Sequence, residues 1–269
     1  MAGSDALFAG SIPEIYDRLM VPLLFEPYAL DLAERIAQAG SRDVLEVAAG
    51  TGVLTRMLAA RMPEGTRIVA TDLNQPMLDH AAARQAGHPH IAWRQADASA
   101  LPFPEAAFDA VACQFGAMFF PDRIQAYREA RRVLRPGGRF LLSVWDRLSE
   151  NEVSDVVVRA LAPLLADDTP PFIARTPHGY HDPERIGAEL RAAGFDAVSI
   201  DHVSFVSRAS TAMDAATAIC QGTPQRNEIE ARGIVDLATA TGKAADALER
   251  RFGKGPIEGR IAALVITAA

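Results

Sequence analysis

The sequence is poor in the residues that build metal centres and disulfide frameworks. Its 269 residues include only two cysteines, Cys113 and Cys220, far apart in the chain. No CxxC pair and no Cys/His cluster has metal-ligand spacing, so a metal site is not expected. Each cysteine is expected to be a small buried apolar residue. An excess of positive charge is missing too. The formal net charge is -7 and the isoelectric point about 5.4. That balance argues against a surface for nucleic acid or for anionic lipid. No apolar run approaches the roughly 20 residues that span a bilayer. The first stretch, MAGSDALFAGSIPEIYD, lacks a basic segment followed by an apolar one. No membrane or nucleic-acid partner is expected, and a cytoplasmic location is.

What is present is an alternation of strand and helix. The first forty residues look helical and are punctuated by Pro13, Pro22 and Pro27, with Gly40 as a C-cap. From Asp43 the pattern changes to DVLEVA, a short apolar run with a glycine loop after it. The helix-periodic GVLTRMLAARM follows, then a second strand TRIVATDL and a second helix QPMLDHAAARQA. HIAWRQAD and AAFDAVACQF read as further strands, and RFLLSVWD as a fifth. Between the last two lies a helix expected to stop at Pro136 and Gly137. Such alternation predicts parallel βαβ units and an α/β fold. After Asp146 the rhythm loosens, with a Pro-rich loop DDTPPFIARTPHGYH and a mainly helical stretch from 209 to 255 before a last strand, GRIAALVITAA.

In an open α/β sheet, ligands bind outside the carboxyl ends of the strands. The loop Ala48-Ala49-Gly50-Thr51-Gly52 lies at such an end. Its glycines allow φ > 0 and close approach of a ligand, and the next helix offers free N–H groups. Asp72, ending the second strand about twenty residues on, can accept from both hydroxyls of a ribose. These features suit any adenosine cofactor. The dinucleotide fingerprint GxGxxG fails, because Thr55 stands where its third glycine belongs. No tyrosine has a lysine four residues later, and no GxxxxGK[ST] occurs. An NAD(P)-dependent oxidoreductase is the alternative kept, together with a non-catalytic cofactor-binding domain.

With VLEVAAGTG, ATDLNQPML, RQADASALPFPEAAFDAV and RVLRPGGRFLL in that order, the sequence resembles class I methyltransferases that use S-adenosylmethionine (SAM). It is most similar to the ubiquinone and menaquinone biosynthesis subgroup. The resemblance implies a Rossmann-like doubly wound sheet of about seven strands, mostly parallel with an antiparallel C-terminal strand, plus helical lid elements. It implies one domain over 1–269, with a helical lid at 1–40 and a helical insertion at 209–255. It also implies a set of SAM-contacting residues. Glu46 would lie near the methionyl ammonium, and the backbone at Ala48 and Gly50 near the methionyl and ribose parts. Asp72 would hold the ribose, Leu73 and Met77 would flank adenine and ribose, and Asp97 with the N–H of Ala98 would meet the adenine amine. Gln114 and Phe115 would sit near the transferring methyl, and Tyr16 would cover the cofactor. The family often has glycine where Ala48 stands, and a Cβ disfavours φ > 0, so an extended backbone is expected there.

Methyl transfer from a sulfonium is an in-line displacement that needs alignment above all. A base is required only for a weakly acidic acceptor. No catalytic residue is assigned from the sequence. The acceptor, a small organic or lipophilic molecule, is expected to meet the N-terminal segment, the loop from 167 to 180 and the stretch from 209 to 255. His178, Tyr180 and His181 are expected on a surface loop, and the arginines from Arg128 to Arg135 on a solvated helix face.

Overall fold

The computed structural model describes residues 8, 10–165 and 170–269. Its strands form one seven-stranded sheet, in the order β3-β2-β1-β4-β5-β7-β6. They are β1 Asp43–Val47, β2 Arg67–Asp72, β3 Ile91–Gln95, β4 Phe108–Gln114, β5 Leu134–Trp145, β6 Val198–Ala209 and β7 Ile257–Ala268. The first five pair in parallel. The last two run antiparallel, and Ala197 and Ala269 exchange backbone hydrogen bonds where they meet. This is the Rossmann-like sheet expected. The chain divides into two compact units.

One unit comprises 27–144, 181–203 and 264–269. Its helices are α2 Glu26–Gln38 from Pro27 onward, α3 Val53–Arg61, α4 Gln75–Arg84, α5 Arg123–Val133 and α8 Pro183–Ala192. In α2 the apolar positions recur with helical period, and Tyr28, Ala29, Leu32, Ala33 and Ile36 are all buried. β1 and β4 are buried almost throughout, as strands covered on both faces must be. At the amino ends of these strands, Arg135 donates to Asp43 at 2.7 Å and to Asp109 at 2.6 Å. The arginine run is therefore not merely a solvated face. Arg132 donates to Glu129 and to the carbonyls of Leu101 and Phe103, and Arg131 to the carbonyl of Gly194. α5 also stops earlier than expected, at Val133. Pro136 pushes the preceding residue to extended backbone, and Leu134 already pairs with Phe108.

The other unit comprises 1–26, 145–180 and 204–263. It holds α1 Ile12–Ile15, α6 Glu152–Leu161, α7 Phe172–Arg175, α9 Ala212–Gln221, α10 Gln225–Arg232 and α11 Leu237–Phe252. Between α1 and Glu26 the helix widens over Tyr16–Phe25, and the N–H of Glu26 donates to the carbonyl of Val21. Pro22 lies inside this stretch. It has no N–H and crowds the carbonyl one turn back, which a wider turn relieves. α9 and α11 pack together through alanines, with Ala215, Ala216, Ala240 and Ala244 buried. Glu228 gathers the N–H of Phe172, Gln225, Arg175 and Arg232. His178 and Tyr180 are 5% and 3% exposed, so these two are buried rather than on the expected surface loop, while Gly179 is exposed and His181 half-buried.

Candidate functional site

The carboxyl ends of β1 and β4 are neighbours, although β1 connects onward to β2 and β4 to β5. The crevice at such a switch point is where this architecture binds ligands. Strain is concentrated there. Among the described residues three non-glycine residues have positive φ, and two are Ala48 (57°), just beyond β1, and Phe115 (51°), just beyond β4. The extended backbone expected at Ala48 is not found. The N–H of Ala49 is drawn to the carbonyl of Thr71 at 2.8 Å, and the chain must turn sharply into the glycine loop. A cost of roughly 1–3 kcal/mol at such a residue persists only where its surroundings enforce it. A Cβ on Gly116 would come within 2.4 Å of the Ala48 Cβ, so only glycine allows these two loops to meet.

Gly50 and Gly52 have φ of 57° and 78°. A Cβ on Gly52 would lie 2.6 Å from Gln85 Nε2 and 3.1 Å from Trp93, so this glycine also serves packing. A Cβ on Gly50 would lie 3.7 Å from Met77 Cε, which places the buried Met77 against the loop. The Asp72 carboxylate accepts from the N–H of Gly50 at 2.9 Å and of Asn74 at 2.8 Å. Burial raises its pKa, and those backbone donors act against the rise. Leu73, its neighbour, is 55% exposed.

Glu46 is buried on β1, and its Oε2 accepts from the hydroxyl of Thr55 at 2.5 Å. Burial pushes its pKa up to about 8, against the pull of Thr55 and Arg56 and with a further push from Asp72. Thr71 donates to the Glu46 carbonyl at 2.9 Å and ties the ends of β1 and β2 together. Asp97 is exposed and accepts from the N–H and hydroxyl of Ser99, with Ala98 half-buried beside it. Gln114 is buried at the end of β4, in register with Ser143. The Phe115 ring meets Tyr28 edge-on at 5.3 Å. Tyr16 belongs to the other unit, where it stacks on Phe25 at 5.1 Å. Cys113 is buried as expected, and burial pushes its thiol up to about 12.

Thr55, Asn74 and Gly116 were not among the residues picked from the sequence. Thr55 was read only as a missing glycine, and its position one helical turn into α3 was the available signal. Nothing local marks Gly116, because its constraint comes from Ala48.

Residues 45–142 match the family model described as a methyltransferase domain. A demethylmenaquinone methyltransferase of Clavibacter sepedonicus is 31% identical over 176 residues, covering 62% of this chain and 70% of that protein. A ubiquinone/menaquinone biosynthesis C-methyltransferase of Pseudomonas aeruginosa is 30% identical over 193 residues, covering 67% and 74%. Among solved structures, the YcgJ protein of Bacillus subtilis is similar with a TM-score of 0.56 and 22% identity, covering 90% of this chain and 97% of that one. A SAM-dependent methyltransferase of Aquifex aeolicus is similar with a TM-score of 0.52 and 18% identity, covering 70% and 88%. The chain belongs to the class I SAM-dependent methyltransferases. It is an enzyme of that kind, in line with the order of motifs along β1 to β5.

The residues present fit the family's cofactor. The loop at Gly50 leaves room for a ligand against the backbone, Asp72 supplies a carboxylate and Leu73 an exposed apolar face. They fit a dinucleotide poorly. Close helix–strand packing at the third glycine would need the space that Thr55 fills with its bond to Glu46.

Proposed function

We propose that this enzyme binds SAM through the loop after β1 and transfers its methyl group to a small aromatic acceptor of the quinol type. Asp72 would accept from the ribose hydroxyls, with Leu73 and Met77 against the base. Asp97 and the N–H of Ala98 would meet the adenine amine. Glu46 would face the methionyl ammonium beside the backbone of Ala48 and Gly50, with Gln114 and Phe115 toward the sulfonium. Tyr16 completes the proposed set. When bound, the cofactor supplies an electrophilic methyl on a positively charged sulfur. The protein's own residues then orient the two partners and exclude water.

The observation that carries the cofactor half is Asp72. It is buried, oriented by the N–H groups of Gly50 and Asn74, and set at the end of the second strand. The acceptor half rests on the relatives, one a demethylmenaquinone methyltransferase and others of ubiquinone and menaquinone biosynthesis. No helix among the described residues is long and apolar enough to cross a membrane. A cytoplasmic enzyme without a nucleic-acid partner fits the acidic charge. Labelled SAM incubated with naphthohydroquinone tests the acceptor. Label in the ring product supports the reading, and label on no quinol-type acceptor, with SAM bound, refutes it.

A further inference from the structure

The carboxyl ends of the parallel strands carry a row of polar side chains on one face of the sheet. Glu46 is in register with Ala70 of β2 and Ala112 of β4. Residues in register share a face, and so do residues two apart along a strand. Asp72 and Gln114 therefore stand on the same face as Glu46. Trp93, in register with Ala70, is on that face too, and a Cβ on Gly52 would lie 3.1 Å from it. Gly52 immediately precedes α3, so the first turn of α3 lies over this face. All of these residues belong to one unit.

Thr55 reaches down from that turn. It and Glu46 are 0% and 1% exposed. Within a helix a threonine hydroxyl commonly bonds to the carbonyl one turn back. Here the carbonyl of Thr51 takes the Arg56 guanidinium at 2.8 Å, and the Thr55 hydroxyl goes to Glu46 Oε2 instead. Among the described residues, no other group donates to that carboxylate. The main chain around it is held by different bonds. Thr71 donates to the Glu46 carbonyl at 2.9 Å, and the N–H of Ala49 donates to the Thr71 carbonyl at 2.8 Å. The Thr55 hydroxyl is therefore spent on the carboxylate and not on the shape of the loop.

We infer that Thr55 is a positioning residue, which pins Glu46 Oε2 and leaves Oε1 to meet the ammonium group of the cofactor's methionyl part. The inference rests on the proposed role of Glu46. A carboxylate can serve two donors with separate oxygens, and the charged donor makes the stronger bond. The groups whose charge reaches Glu46 are Arg56, which favours its ionised form, and Asp72, which disfavours it, and the Cys113 thiol is in turn pushed up by Glu46. Loss of the Thr55 hydroxyl removes an influence that favours the ionised form, so Glu46 would ionise only at higher pH.

The test uses the full chain as wild type, E46Q, T55V, T55A and T55S. The ligands are S-adenosylhomocysteine and its deamino analogue, which lacks only the ammonium. Valine keeps the shape of threonine without the hydroxyl, and serine keeps the hydroxyl. In calorimetry at pH 8, wild type and T55S are expected to bind S-adenosylhomocysteine about 10-fold or more tightly than the analogue. T55V is expected to cut that preference to within about 3-fold, with its affinity for the analogue unchanged. Where T55V does not fold, T55A is read in the same way. The pH at which affinity levels off, about 8 in the wild type, is expected to be higher in the variant without the hydroxyl. A variant without the hydroxyl that keeps the full preference, or loses equally for both ligands, would overturn the assignment of Thr55. So would a T55S enzyme that behaves like T55V. With E46Q losing the preference, the reading of Glu46 would still stand. A wild type without any preference, or an E46Q enzyme that keeps it, would overturn the role of Glu46 itself.

Discussion

The hydroxyl of Thr55 donates to Glu46 across 2.5 Å inside the first βα turn. That one bond occupies the space a dinucleotide loop reserves for glycine. It also holds a carboxyl in a buried place, where burial pushes its pKa up to about 8. Glu46 is therefore mostly protonated at neutral pH, and two pH effects are expected.

The first is on binding. An ammonium arriving beside Glu46 favours its charged form and lowers its pKa. Binding near neutral pH should then release a proton from part of the population, and affinity should rise with pH toward about 8. Titration calorimetry in two buffers of different ionisation enthalpy measures the release. E46Q should bind S-adenosylhomocysteine more weakly and release no proton.

The second is on stability. In the unfolded chain Glu46 titrates near 4.5, and in the folded protein at about 8. Between these values the folded state keeps a proton that the unfolded state gives up. The contribution is fully present below about 4.5 and is lost as pH rises through about 8. Thermal melts across that range should show a falling melting temperature, and E46Q should flatten the slope.

Gly116 and Ala48 make a further prediction. In G116A the new methyl group would lie 2.4 Å from the Ala48 Cβ, so one of the two loops must move. A loss of roughly 1–3 kcal/mol in stability is expected, with weaker cofactor binding. Chemical denaturation and calorimetry report the two effects. An unchanged denaturation midpoint would show that the loops adjust freely.

Leu73 separates binding from folding. Its side chain is more than half exposed, so L73A should change stability by under about 0.5 kcal/mol. Loss of the apolar face against the base should cost about 3- to 10-fold in affinity. A stable variant with unchanged affinity for S-adenosylhomocysteine would remove Leu73 from the site.

The first five strands were legible because each is a short apolar run followed by a glycine turn or a helix with its own period. Asp72 was legible for the same reason, as a strand-end acid a fixed distance after a glycine loop. Ala48 was not. Steric preference for one residue argued for extended backbone, and the packing of two strand ends against Gly116 overrode it. His178 was hidden differently. Its surroundings, TPHGYHD, have the polar and turn-forming composition of a surface loop. The main-chain oxygen that its Nδ1 meets, that of Asp146, is far away in the chain. Local pattern reports the parallel core well and the long-range closures hardly at all.

The central claim is that Asp72 and the loop at Gly50 hold an adenosine cofactor of the sulfonium type. Calorimetric titration of wild type and D72N with S-adenosylhomocysteine, and of the wild type with NADH, tests it most directly. D72N keeps an oxygen to accept from the Gly50 or Asn74 N–H, so it is expected to fold. The account predicts wild-type binding of S-adenosylhomocysteine, affinity about 10- to 100-fold weaker in D72N, and no response to NADH. Equal affinity in D72N, or tight NADH binding without any response to S-adenosylhomocysteine, would contradict it.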